Sequence, residues 1–200
     1  MSKRAVSLEE ISKDYPIILV DTCALIGYQS SSEVVNAGMD SAYSYRINME
    51  VDSANFFKKC IDNGIGIYVT SSVFEEYSMG GSSSSHIKDL LHTIQSNSRI
   101  LEFDDDDERK SYNEKSRKHS EIKNKFLLRN VNYDFVISAF VLPEVRKKPV
   151  ALISNNTKIL RAWKFLFMKE DLSLDELRFL IRIGNKTFKK IKPPKDYKKI

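Results

Sequence analysis

Short runs of consecutive apolar residues alternate with longer stretches whose apolar residues recur at helical spacing. Ile17-Ile18-Leu19-Val20 is the first run, and four apolar residues without polar alternation predict a strand buried on both faces, ending at Asp21. Residues 65–70 and 149–154 predict two more strands, and residues 99–103 a short one. Between them, Met49, Val51, Ala54, Phe56, Phe57 and Ile61 predict a helix over 48–62, stopped by Asp62-Asn63-Gly64. Ser71 or Ser72 caps a short helix through Tyr77, and Ile87, Leu90, Leu91 and Ile94 share one face of a helix over 86–95. Acids at 104–108 lead a long charged helix to about residue 130, and residues 132–142 form an apolar one. Asn155 or Asn156 caps a helix that turns Ile159, Leu160, Trp163 and Leu166 inward. Ser173 and Glu176 have the spacing of a capping box, which predicts a helix over 174–183. Residues 29–33 are polar, the mixed stretch to about 47 gives no assignment, and residues 80–85 read as a glycine-serine loop.

Strands alternating with helices predict an α/β fold, a three-layer α/β/α sandwich around a central, mainly parallel sheet. The expected division is a domain over 1–172 and a basic helical extension and tail over 173–200. Sites in parallel sheets lie at the carboxyl ends of strands, which singles out Asp21 and the residues after Thr70 and Ile153.

Composition narrows the class. Two hundred residues at 42% hydrophobic suit one domain and exclude a wholly disordered chain. The apolar runs are too short to span a membrane, and the first residues turn polar at Ser7-Leu8-Glu9-Glu10, so no signal peptide is expected. Cys23 and Cys60 make no disulfide framework; a soluble, cytoplasmic protein is the expectation. The net charge of +5 hides two unlike parts. Residues 157–200 hold 13 basic and 5 acidic residues, a balance of +8, and the preceding 156 residues carry −3. The basic run from Lys186 onward reads either as a phosphate-binding tail or as a solubilising end, with Phe188, Ile191 and Tyr197 among the lysines placed to stack or to pack.

Three acids carry the candidate chemistry. Singly, Asp21 reads as a helix cap, Glu76 as a surface acid and Asp134 as a partner of a helix dipole. Together, two follow strand ends and the third opens an apolar helix, and carboxylates that converge repel one another unless a divalent cation neutralises them. Oxygen ligation suits Mg²⁺ or Mn²⁺; His86, His92 and His119 lack the spacing of zinc ligands.

The stretch Ile17-Ile-Leu-Val-Asp-Thr-Cys-Ala-Leu-Ile26 resembles the opening motif of PIN-domain nucleases. Val73-Phe-Glu-Glu-Tyr77 is similar to the second motif and favours Glu76 over Glu75, Asp134-Phe-Val-Ile-Ser-Ala139 to the third, and Val150-Ala-Leu-Ile-Ser-Asn-Asn156 to the fourth. The four stand in family order over about residues 15–168. The resemblance implies a metal-dependent endoribonuclease in which Asp21, Glu76 and Asp134 hold Mg²⁺ or Mn²⁺, with Thr22 and Ser154 as orienting groups. Asn156 completes the catalytic set where an acid is usual, a departure that removes one charge, and no last strand is evident after the fourth motif. The RNA would meet Lys158, Arg161, Lys186, Lys189, Lys190 and Lys192. The family's habits allow a homodimer or an antitoxin-like protein regulator, and either a toxin or an RNA-processing role.

Two rivals stand beside this reading. A catalytically weak or inactive RNA-binding or scaffold protein on the same fold is favoured by Asn156. Another phosphotransfer enzyme fits poorly: a haloacid-dehalogenase-like site needs a second Asp where Cys23 stands, and Gly80-Gly81 lead into serines rather than a P-loop.

Overall fold

The computed structural model describes residues 5–27, 39–79 and 84–194, with backbone alone for 39–47. The unassigned stretch after residue 28, most of the glycine-serine loop, and Tyr197 with the last lysines lie largely or wholly outside it. The elements run α1 (Leu8–Ser12), β1 (Ile17–Val20), α2 (Thr22–Ile26), α3 (Met39–Asp62), β2 (Ile67–Thr70), α4 (Ser71–Met79), α5 (Ser85–Ser96), β3 (Ile100–Leu101), α6 (Asp106–Lys118), α7 (Glu121–Lys125), α8 (Asn130–Arg146), β4 (Val150–Ile153), α9 (Thr157–Lys169), β5 (Leu177–Arg182) and β6 (Phe188–Lys190).

The fold is α/β. Six strands form one sheet in the order β3-β2-β1-β4-β5-β6, parallel except for the antiparallel edge β6. The uninterrupted apolar runs occupy its centre: every residue of β1 and β4 is buried. Connections leave β1 toward β2 and β3 on one side, then cross to β4 and β5 on the other. Right-handed crossovers then put the two sets of helices on opposite faces. The packing agrees, with α3 against α5, and α8 against α6 and α9, an arrangement compatible with three layers. Gly66 lets β1 and β2 approach at the sheet's entry: a Cβ there would stand 2.0 Å from the Pro16 carbonyl oxygen.

Four expectations need correction. The helix predicted over 174–183, and with it the helical extension from residue 173, gives way to β5 and β6. The reciprocal bonds of a capping box do form, Glu176 N to Ser173 Oγ at 3.2 Å and Ser173 N to the Glu176 carboxylate at 2.6 Å, but they close one turn only. Leu177 then pairs with Val150, and Leu177, Phe179 and Leu180 are buried, so sheet pairing outweighs the local helix signal. Phe188, placed among lysines by the sequence, is fully buried beside Phe56. The long charged helix breaks at His119, whose buried ring meets Glu170 of α9's C-cap, and α8 runs on through the buried Pro143 instead of ending at residue 142. Among the described residues, no helix is long and apolar enough to cross a membrane.

Candidate active site

The strand order reverses direction between β1 and β4, and the groups at their carboxyl ends meet there. Asp21 follows β1 and caps α2: its Oδ1 accepts from Thr22 N at 2.9 Å. Ser154 follows β4 and donates to Asp21 Oδ2 at 2.8 Å, while Cys23 Sγ donates to the same oxygen at 2.8 Å. Asp21 is 2% exposed, and no basic side chain among the described residues forms an ion pair with it. Burial raises its carboxyl above the ordinary range, against the opposing pull of the Cys23, Ser154 and Thr22 hydrogen bonds, and the neighbouring Glu76 adds to the rise. Burial and Asp21 together push the Cys23 thiol far up, which makes it a hydrogen-bond donor rather than a nucleophile.

Glu76 arrives on α4, the helix that follows β2. Thr22 Oγ1 donates to its Oε2 at 2.5 Å, so Thr22 joins Asp21 to Glu76 through its own backbone and side chain. The other oxygen, Oε1, pairs with Arg129 at 2.7 Å, just before α8. Asp134 lies one turn into α8. Its Oδ2 accepts from Ser72, one helical turn before Glu76 on α4, and its Oδ1 accepts from Tyr112 Oη at 2.6 Å. Burial and Asp134 raise the Tyr112 phenol, keeping it a donor.

The structure thus links Asp21 to Glu76 directly through Thr22, and brings Asp134 to the same helix α4 through Ser72. Asn156 takes a different part. It is the N-cap of α9, accepting from Lys158 N at 2.9 Å, while its own N–H donates to Ser154 Oγ at 3.0 Å. Lys158 reaches the Leu127 carbonyl at 3.3 Å, beside Arg129, and Arg161 is exposed one turn further along α9. The other expected RNA contacts lie elsewhere. Lys190 pairs with Leu180, which aligns with Ile153 and Val20, so it stands level with the strand ends but three strands from β1, about 14 Å away. Lys189 shares that edge strand, and Lys186 and Lys192 are exposed on either side of it.

The donor set is one of carboxylate oxygens, which suits Mg²⁺ or Mn²⁺ by chemistry. Asp21 uses three of its roughly four acceptor positions, and the hydroxyls on Glu76 and Asp134 can rotate away. The spacing is less complete: among the described residues, no group of three His, Cys, Asp or Glu side chains is placed to hold an ion. Sequence reasoning did not find Arg129, Ser72, Tyr112 or Cys23. Ser72 was legible only as a residue at a helix start, and Arg129 and Tyr112 carry no pattern that marks them, because each reaches the acids through tertiary packing; Cys23 stands in the opening motif, two residues after Asp21, but nothing there marks it as a donor to that acid. No family model, curated protein or solved structure matches the chain.

Proposed function

We propose that the chain is a metal-dependent endoribonuclease of PIN-like type, with Asp21, Glu76 and Asp134 as its acidic centre. The observation that carries the reading is Asp21 itself. It is a buried carboxylate at the switch point of a parallel sheet, ion-paired to no basic side chain among the described residues, and joined to a second acid through one threonine. A carboxylate in that position is costly unless it is protonated or something positive shares it, and the open end of the sheet is where ligands of such folds bind.

Mg²⁺ or Mn²⁺, when bound by these acids, would supply charge stabilisation at the phosphate and a water of lowered pKa. The chain's own groups do the rest. Ser154 and Thr22 fix the orientations of Asp21 and Glu76. Arg129, with a side chain 70% exposed, neutralises Glu76 and is free to swing to a phosphate oxygen. Tyr112 and Ser72 hold Asp134 between them.

The second reading, an RNA-binding or scaffold protein with little or no catalysis, is favoured by the use of Asn156 as a helix cap and by the Arg129 pair on Glu76. Incubation with mixed single-stranded RNAs, with and without Mn²⁺, decides between them when Asp21→Asn is run alongside. Mn²⁺-dependent cleavage lost in Asp21→Asn is the expected result. Binding without cleavage under both conditions would establish the scaffold, and equal cleavage by the variant would remove Asp21 from the chemistry.

A further inference from the structure

Helix α9 presents two contrasting faces. Ile159, Ala162, Trp163, Leu166 and Phe167 are buried, whereas Lys158, Arg161, Phe165 and Lys169, at spacings of three and four, share a flank that adjoins the buried face. Along that side lies α7 and the turn after it. Phe126 meets Phe165 edge to face at 5.6 Å between ring centres. Lys125 lies 3.8 Å from the centre of the Phe165 ring and Lys169 4.7 Å from it. Leu127 is 72% exposed, and its carbonyl receives Lys158. Glu121, a carboxylate that touches this strip, is already paired with Lys169 at 2.8 Å.

The strip leads to the acids at one end by two routes. Lys158 is one residue past the α9 start, where Asn156 N bonds the Ser154 hydroxyl that holds Asp21. On the other flank, Arg129, two residues after Leu127, pairs with Glu76. From Lys158 to Lys169 the helix rises about 16 Å.

We propose that this strip is a binding surface for single-stranded RNA, with Phe165 and Phe126 as the stacking platform for a base and Lys158, Arg161, Lys125 and Lys169 on its phosphates. The inference rests on the nuclease reading for the identity of the polymer. The occupant follows from the chemistry: half-buried rings interleaved with exposed cations match unpaired bases on a polyanion, whereas a duplex hides its base faces. Exposed lysines on an aromatic face hold it by cation–π contact and yield it readily to a base.

The test is fluorescence anisotropy with a labelled oligouridylate of roughly a dozen nucleotides, on the full chain in EDTA, so that no metal-dependent cleavage intervenes. Phe165→Ala is expected to weaken binding about five- to a hundredfold, the range of one lost stacking contact. Phe165→Trp is expected to restore it, which separates stacking from loss of fold. The double variant Lys158→Ala, Arg161→Ala is expected to reduce the slope of log affinity against log salt by about 1.4. A Phe165→Ala effect within twofold, an unchanged salt slope, or equal affinity for the annealed duplex would overturn the strip as a single-strand site. So would association of this face with a second copy of the chain in place of RNA. Cleavage by Asp21→Asn is scored separately: if it persists while Phe165→Ala loses binding, the acidic centre fails and the strip stands.

Discussion

Ser154 donates a hydrogen bond to Asp21 across the junction of β1 and β4, at 2.8 Å and out of contact with solvent. The same hydroxyl accepts from Asn156 N, so it ties the acid to the start of α9. Ser154→Ala leaves the half-buried Asn156 N–H without its acceptor and the buried Asp21 with two donors rather than three. A loss of about 1–3 kcal/mol in urea unfolding is expected, together with a fall in Mn²⁺-dependent cleavage. An unchanged midpoint would show that Thr22 and Cys23 suffice to hold Asp21.

Arg129 pairs with Glu76 from the surface, and such a pair contributes little to stability. Arg129→Ala is therefore expected to change unfolding free energy by less than about 1 kcal/mol. Freed of its pair, Glu76 offers an oxygen to a divalent ion, so Mn²⁺ is expected to raise the melting temperature of the variant at lower concentration than it does in the parent chain. Identical Mn²⁺ titrations by thermal shift would show that Arg129 does not compete for the acid.

What the sequence made legible was decided by range. β1, β2 and β4 are consecutive apolar runs whose burial follows from composition alone, and Asp21 and Glu76 stand at their exits. α9 carried its own cap in Asn156 and α5 its apolar face, whereas the serines expected to cap α4 lie inside it and Thr70 makes the capping bond, its Oγ1 accepting from Val73 N at 3.3 Å. β5 was obscured because Ser173 and Glu176 satisfy a local rule that the sheet then overrides at Leu177. The break at His119 has no glycine or proline to announce it; it follows from a partner 51 residues away. The same reason hid Arg129 and Tyr112 from the candidate site. It also changes how the basic tail should be tested: deletion from residue 186 removes β6 and buried Phe188 with the lysines, so substitution of exposed lysines is the cleaner experiment.

Glu170 gathers Lys115 at 2.7 Å, Lys118 at 2.8 Å and the His119 ring at 2.6 Å, fastening α6 to the end of α9. Burial alone would raise its carboxyl, but the two lysines, with His119, hold it down to about 2. A carboxylate depressed in the folded state contributes stability above its ordinary pKa and loses it as the pH falls toward 2. His119 adds in the same direction: burial lowers its pKa despite Glu170, so acidification below its ordinary value forces a proton onto a group the fold holds neutral. Glu170→Gln is expected to cost about 2–3 kcal/mol at neutral pH. The gap between parent and variant should narrow in melts between pH 5 and pH 3. A gap independent of pH would mean that packing, rather than charge, is what Glu170 provides.

Arg182, at the end of β5, is 5% exposed and forms no ion pair with an acid among the described residues. Carbonyls and a hydroxyl take a carboxylate's place. Nη1 donates to Ala24 O at 2.7 Å and to Ser53 Oγ at 2.5 Å, Nη2 to Asn185 O at 2.8 Å, and Nε to Gly184 O at 3.3 Å. The guanidinium also lies against the rings of Phe56 and Phe57. Gly27, at φ +83°, is confined by this arrangement, since a Cβ there would stand 3.2 Å from Nη1. Burial lowers the Arg182 pKa to about 10, which still leaves it protonated at neutral pH. A lysine has the charge without the fork: three donors on one nitrogen cannot meet acceptors spread over α2, α3 and the β5–β6 turn, and the planar contact with the rings is lost. Arg182→Lys is expected to lower unfolding free energy by about 2–4 kcal/mol, read as a lower urea midpoint at unchanged slope. Because α2 begins at Asp21, the loosened α2 carries the damage to the acids, and Mn²⁺-dependent cleavage should fall further than the folded fraction accounts for. An unfolding free energy within about 0.5 kcal/mol of the parent would show that Arg182 does not fasten these segments.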